Sequence, residues 1–183
     1  SYKSGTFSLG ADMEFNNPWE LKLDTKATPT RYSDTATRGG PIMQNPGSYS
    51  LGIELGTDRR NRLSFRPGLD YENGQKGGYE WQTEMEINFR PSPSWEIEIS
   101  PNFQWRQDSA QYVTGTDVLS YSPTFGRRYI FSDLERRSFS LETRLNVAFT
   151  PNLTLQLYAQ PLLSSGDYLN YKQLLQPKSF DFL

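Results

Sequence analysis

The sequence contains neither cysteine nor histidine. These two absences exclude disulfides, thiolate nucleophiles, Ser-His and Cys-His catalysis, and nearly all common zinc and haem sites. The chain also lacks any run of about 18 apolar residues from which a transmembrane helix could be drawn, and its N-terminus shows no charged-then-apolar leader. Acidic and basic residues nearly balance, at 21 and 19, which argues against a nucleic-acid partner. We therefore predict no cofactor, no metal site and no catalytic site.

Aromatic residues, glycine and proline are plentiful by contrast. Phe, Trp and Tyr make up 14% of the 183 residues, with 14 glycines and 12 prolines. This composition favours β-strands joined by many turns. The mean hydropathy of −0.71 is compatible with a membrane-spanning β-barrel, because half of each strand in such a barrel faces a polar lumen.

Apolar and polar residues alternate with a period of two in eight segments of the length that a tilted strand needs to cross a bilayer. The segments are 7–15, 19–27, 49–57, 63–71, 79–89, 95–105, 139–149 and 153–161. Their odd-numbered positions form an apolar face that carries no charged residue, whereas the opposite face holds many charges. Such segregation predicts strands with two chemically distinct surfaces.

The connections alternate between short and long. Tight turns are predicted at 16–18, 58–61, 90–94 and 150–152, and longer joins at 28–48, 72–78 and 106–138. This asymmetry is typical of outer-membrane barrels, with short periplasmic turns and long extracellular loops. The segment 106–138 is either one long loop or contains an extra pair of short strands near 111–116 and 128–133, and we favour an extracellular extension.

We predict an all-β fold: an antiparallel up-and-down transmembrane β-barrel, forming a single domain over 1–183 and expected to be part of a larger barrel. The Ser-Ser-Gly-Asp sequence at 164–167 resembles a helix cap, so a short helix is predicted over 164–176. A final strand is expected to begin at Lys178.

Aromatic residues gather at the predicted strand ends, as in the girdles that mark the two membrane interfaces. The predicted girdle residues are Phe15, Trp19, Tyr71, Tyr79, Trp81, Phe89, Trp95 and Trp105.

The polar face predicts an ion network inside the barrel. If the turns set the simplest register, Arg66 falls opposite Glu54 and near Glu84, and Glu86 falls opposite Glu98. The predicted network consists of Glu54, Arg66, Glu84, Glu86, Glu98 and Arg144. The pairs Glu84 with Glu86 and Glu96 with Glu98 also fit a glycan hydrolase, but alternating glutamates on a solvated wall are commoner than catalytic pairs.

A second fold stays open, because a soluble carbohydrate-binding β-sandwich shows the same alternation. Pro67, Pro101 and Pro161 count against the strand assignment itself, because proline inside a strand removes a backbone donor. The strand-end aromatics and the unequal connections favour the barrel.

Several strings then point to a family. They are Arg127-Arg128-Tyr129-Ile130-Phe131, Leu155-Gln156-Leu157-Tyr158-Ala159-Gln160-Pro161 and Ser164-Ser165-Gly166-Asp167-Tyr168, with weaker matches at 37–43 and 108–113. The chain from about residue 30 onward resembles the C-terminal barrel of a bacterial domain-of-unknown-function family whose members are labelled carbohydrate-binding family 9 domain proteins. The resemblance implies a larger bacterial outer-membrane protein with a leader and an upstream sugar-binding-like domain, and it implies no settled activity.

The expected function is therefore that of a membrane anchor, scaffold or passage for a larger surface protein, without enzymatic activity. The expected partners are outer-membrane lipid and other surface or envelope proteins; glycan contact has no support in this segment.

Overall fold

The computed structural model describes residues 5–183 and is almost entirely β-structure. Eleven strands are present in this part of the chain, and one 3₁₀ turn lies at Ser122–Thr124. The strands are β1 Phe7–Glu14, β2 Glu20–Thr28, β3 Arg31–Ser33, β4 Met43–Asn45, β5 Ser48–Gly56, β6 Leu63–Gly74, β7 Tyr79–Ser92, β8 Trp95–Thr116, β9 Arg128–Thr150, β10 Leu153–Ala159 and β11 Leu162–Gln173. All eight segments with two-residue alternation are strands, which confirms that part of the sequence prediction.

Nine strands form one antiparallel sheet in the order β1-β2-β5-β6-β7-β8-β9-β10, and β11 pairs with β9. β10 lies along residues 143–150 of β9, and β11 lies along residues 130–140 on the same side. The sheet is therefore eight strand positions wide. Among residues 5–183 its two outer edges, β1 and β10 with β11, do not pair with each other, so the described strands form an open antiparallel sheet and no closed barrel. β3 and β4 form a separate two-stranded ribbon.

The predicted helix over 164–176 is wrong, because residues 162–173 form strand β11. β9 is 23 residues long, and β10 covers only one end of it. The backbone groups of residues 130–140 consequently need a partner, and pairing with β11 satisfies them where an isolated helix would not. The expected strand from Lys178 is reduced to one isolated bridge between Leu174 and Phe182.

The long loop predicted over 106–138 is largely strand. β8 continues to Thr116 and β9 begins at Arg128, so the connection shrinks to 117–127. The two short strands considered at 111–116 and 128–133 are extensions of this one hairpin. The join at 28–48 contains the β3–β4 ribbon.

The three prolines lie where the sheet ladder is interrupted. Pairing between β5 and β6 stops at Gly68, next to Pro67. Pairing between β7 and β8 skips the residues facing Pro101, and Pro161 occupies the break between β10 and β11. Each proline therefore coincides with a local loss of ladder hydrogen bonds, although β6 and β8 continue as strands through Pro67 and Pro101.

The packed core is small and lies at one end of the sheet. Met43, Tyr129, Phe131 and Leu174 form the buried cluster, at the end that carries the longer connections. We call this the long-loop end, and the opposite end, with the connections at 15–19, 57–62, 93–94 and 151–152, the short-turn end. Within residues 5–183 there is no helix of the length and apolarity that crossing a membrane requires.

Gly47 provides a test of the packing where the chain returns to the sheet. A Cβ at this position would lie 2.4 Å from the Thr28 carbonyl oxygen and 3.0 Å from the Thr30 amide nitrogen. Because both are backbone atoms, we expect Gly47→Ala to lower the free energy of unfolding by about 2 kcal/mol. Gly10→Ala is the control, since its Cβ would meet only the Leu23 carbonyl, at 3.7 Å. Denaturant unfolding measures both variants. Equal free energies of unfolding would contradict the close packing of Gly47 against the backbone of Thr28 and Thr30.

Candidate functional site

The apolar face of the sheet is continuous across all eight strand positions. It consists of the odd-numbered side chains, which the register places side by side. One row contains Ala11, Leu23, Ile53, Leu69, Thr83, Phe103, Phe139 and Leu163. A second row contains Leu63, Phe89, Ile97, Leu145 and Leu157. Large members such as Ile53, Phe103 and Leu163 are more than a third exposed. The face is therefore a broad apolar surface that no other part of residues 5–183 covers.

Aromatic residues mark both borders of this face. At the long-loop border Tyr71, Trp81 and Trp105 share one row, with 4.3 Å between the ring centroids of the first two. The next row is mostly polar and contains Asn73, Tyr79, Gln107, Glu135 and Asp167. Phe89 and Trp95 lie at the short-turn border, as does the first turn, where the Phe15 amide donates to the Trp19 carbonyl. The residues predicted as girdles thus lie at the two ends of the apolar face.

The distance between the two aromatic borders of the apolar face can be measured along β8. Trp95 and Trp105 are ten residues apart on β8, or about 33 Å along the strand. At the tilt of about 40° that strands of transmembrane barrels have, this length would correspond to a height of about 25 Å, which is the height of their apolar band.

The polar face holds an ion network centred on Arg66. Its guanidinium donates to Glu54 at 2.7 Å and to Glu20 at 3.1 Å, and its side chain is only 12% exposed. Lys22 also reaches Glu54, at 3.2 Å. The two cations and two carboxylates of this cluster balance in charge.

Glycines on the polar face make room for these side chains. A Cβ on Gly52 would lie 2.3 Å from the Asp24 carboxylate and 2.6 Å from that of Asp70. A Cβ on Gly56 would lie 3.2 Å from the Arg66 guanidinium. Because glycine has no side chain, charged groups from both neighbouring strands extend over these two positions.

The structure brings together only some of the predicted pairs. Arg66 contacts Glu54 diagonally, because Glu54 lies opposite Gly68, and Arg66 lies opposite Glu86 and not Glu84. The predicted pairing of Glu86 with Glu98 is wrong: Glu98 lies between Asn88 and Arg144. The reason is the β7–β8 turn, which is tighter than predicted and carries a register shift between Phe89 and Ser92.

The remaining predicted residues have other partners. Arg144 forms an ion pair with Glu142 at 2.6 Å and lies over the Tyr158 ring at 5.6 Å. Glu84 lies opposite Asn102 and Gly68. Glu96 accepts hydrogen bonds from Arg90 and Asn88. Among residues 5–183, no group of three or more acidic residues is placed to hold a metal ion.

The turn at 57–62 has its own ion pair. Asp58 accepts hydrogen bonds from the Arg60 guanidinium at 3.0 Å and from the Arg60 amide at 2.9 Å. The Arg60 side chain, and then its amide, hold the pKa of Asp58 below the usual range. The contribution of this contact is therefore present above the ordinary carboxyl pKa and is lost as the pH falls through the lowered one.

Sequence reasoning missed a polar cavity at the long-loop end. Its volume is about 340 Å³, and it is lined on the sheet by Glu72, Glu80 and Arg106. Arg106 donates to Glu80 at 3.1 Å and to Asp108 at 2.7 Å. The alternation of polar side chains through 104, 106 and 108 is the sequence signal that β8 continues past residue 105.

These observations define the chain as an all-β protein built on one antiparallel sheet with an apolar and a charged face. The chain belongs to the family described as "Domain of unknown function (DUF5916)", whose model matches residues 1–179. No curated protein and no solved structure matches it.

Proposed function

We propose that this chain is a segment of an outer-membrane transmembrane β-barrel and acts as a membrane anchor, scaffold or passage for a larger surface protein. The observation that carries the proposal is the uncharged apolar face, which runs unbroken across eight strand positions and is covered by nothing in residues 5–183. Exposed apolar patches on soluble monomers rarely exceed a few hundred Å². Acyl chains are the partner that suits so extended a surface.

The borders of that face support the same proposal. Trp81 and Trp105 on one side and Trp95 on the other are the side chains that favour the lipid–water interface. The interval between them, about 25 Å after tilt, suits the hydrocarbon layer. Arg137 lies over the Trp105 ring at 5.3 Å, where a cation reaches the headgroup level.

The two unpaired edges of the sheet indicate the size of the proposed barrel. In a bilayer core no water satisfies exposed backbone groups, so a spanning sheet must close on itself or on further strands. We propose that further strands of a larger barrel complete the edges at β1 and at β10 with β11. The resemblance to proteins labelled with carbohydrate-binding family 9 domains supports an assignment to a larger bacterial surface protein.

The soluble sandwich has less support. A sandwich needs a second sheet to cover the apolar face, and the only other sheet in the described residues is the ribbon of β3 and β4, whose two strands have three residues each. Trp81 is 40% exposed, and Ile87, Ile97 and Leu145 are partly exposed. A hydrolase has no specific observation in its favour, since Glu96 is held by Arg90 and Asn88.

Electrophoresis and flotation test the proposal on the full-length polypeptide. We expect it to require detergent or lipid for solubility, to float with liposomes, and to migrate differently on gels with and without boiling. These are the properties of a closed, lipid-facing barrel. A detergent-free, monodisperse protein whose mobility is unchanged by heating would overturn the proposal.

A further inference from the structure

The connection between β2 and β5 reaches far across the sheet. This segment, residues 29–47, is here called the strap. It leaves and re-enters the sheet at neighbouring strands, yet it contacts β9: a Cβ on Gly40 would lie 2.2 Å from the Tyr129 ring. Arg38 lies over the Tyr112 ring of β8 at 5.2 Å. β5 and β9 are four strand spacings apart, about 19 Å, so the strap spans the long-loop end.

The last ten residues fasten the strap. In this tail, residues 174–183, the Lys178 amide donates to the Ile42 carbonyl at 2.7 Å, and the Ser179 carbonyl accepts from Gln44 at 3.1 Å. Leu174 is fully buried, and Phe182 packs on Phe131 with 5.5 Å between ring centroids. The strap, the tail and the ends of β8 and β9 thus share one core.

The base of the strap is fixed as well. Thr30 donates to the Gln75 side chain at 3.1 Å, and the Gln75 amide donates to the Gly47 carbonyl at 2.9 Å. Gln75 belongs to the β6–β7 hairpin, so the strap is attached to the sheet at both ends.

The strap and tail lie on the polar side of the sheet. The cavity of about 340 Å³ is lined by Glu80 and Arg106 of the polar face and also by Asn45 of the strap and Phe180 of the tail. The strap and tail therefore close over the polar face at this end, while the apolar rows between the aromatic borders stay uncovered.

We propose that the strap and tail form a fixed plug that closes the polar interior at the long-loop end, so that the protein is an anchor and not an open passage. This inference rests on the proposed function. The plug is held by apolar burial: Met43 is 3% exposed, and Thr37 is fully buried with its hydroxyl donating to the Pro41 carbonyl at 2.8 Å. An open passage would need the whole cluster to separate from β8 and β9.

Planar-bilayer conductance of the full-length protein tests the plug. We expect low conductance from the natural protein and an increase of at least about tenfold from Met43→Asp, since a carboxylate in this core shifts the equilibrium toward the displaced plug. Ile42→Asp is the matched control, because Ile42 is next to Met43 in the sequence and its own side chain is 41% exposed. We expect it to leave conductance unchanged. Gly40→Leu, which would strike the Tyr129 ring, is an independent second variant.

Cysteine labelling reports the plug directly. The 183 residues contain no cysteine, so Thr37→Cys introduces the only thiol of this segment, at a fully buried position. We expect slow maleimide labelling of this thiol, and fast labelling when Met43→Asp is added.

The outcomes separate the two proposals. High conductance of the natural protein, or fast labelling without increased conductance, would overturn the plug while heat-dependent mobility and flotation remain. Conductance that stays low in both Met43→Asp and Gly40→Leu would overturn it also. Absence of membrane association in the natural protein would instead reject the barrel.

Discussion

Ile99→Arg is expected to impair membrane insertion severely. Ile99 lies near the middle of the apolar interval on β8, opposite Ile87 on β7 and Thr143 on β9. An arginine at the bilayer midplane on a lipid-facing strand position costs about 2 to 4 kcal/mol, which is a large fraction of the stability of a typical domain. The fraction of heat-modifiable protein after refolding into lipid vesicles measures the effect.

The control is the next residue along the same strand. Ser100→Arg introduces the same side chain on the polar face, opposite Glu142. We expect normal insertion, because the new cation faces a carboxylate in a solvated environment. Equal insertion of the two variants would show that the odd-numbered face does not meet lipid, and the reverse order would show that the sheet is oriented the other way.

Arg66→Met is expected to lower the free energy of unfolding by about 2 to 3 kcal/mol. The substitution leaves Glu54 and Glu20 without this cation and Glu86 facing an uncharged residue. Removing one partner of a buried ion pair costs about 3 to 5 kcal/mol. The smaller value is expected here because the Glu20 side chain is 43% exposed. Denaturant unfolding in lipid or detergent provides the measurement.

Lys22→Met distinguishes the loss of a buried cation, as in Arg66→Met, from the loss of an exposed one. Lys22 also contacts Glu54, but its side chain is 47% exposed, so we expect a loss below about 1 kcal/mol. Combining Arg66→Met with Glu54→Gln should recover part of the stability, since the carboxylate that lost its partner is then neutral. A double variant whose loss of unfolding free energy exceeds the sum of the losses in the two single variants would contradict the central role of this pair.

The proposed plug changes how the proposed barrel would serve a larger protein. Fixed at Gln75, Tyr129 and Lys178, it leaves the interior ion network without an open route at the long-loop end. Such a barrel holds the rest of the protein at the membrane surface and positions it through a rigid end.

Register could not be read from the sequence. Alternation assigns each residue to a face but does not fix which residues lie opposite one another, because that depends on turn geometry. The β7–β8 turn closes at Ser92 and Trp95 with a register shift. On β7, Glu98 consequently lies opposite Asn88, where the sequence placed Glu86.

By itself the sequence determined the eight alternating strands, their antiparallel order and the separation of an uncharged face from a charged one, because a two-residue period is a local property of the backbone. The tertiary structure decided the rest. The cap-like residues at 164–167 predict a helix over 164–176. The structure has strand β11 there, because the backbone groups of β9 along residues 130–140 need hydrogen-bond partners. Only three-dimensional packing could bring Gly40, Met43 and Leu174 together at the long-loop end, since these contacts join segments distant in the chain and carry no periodic signal.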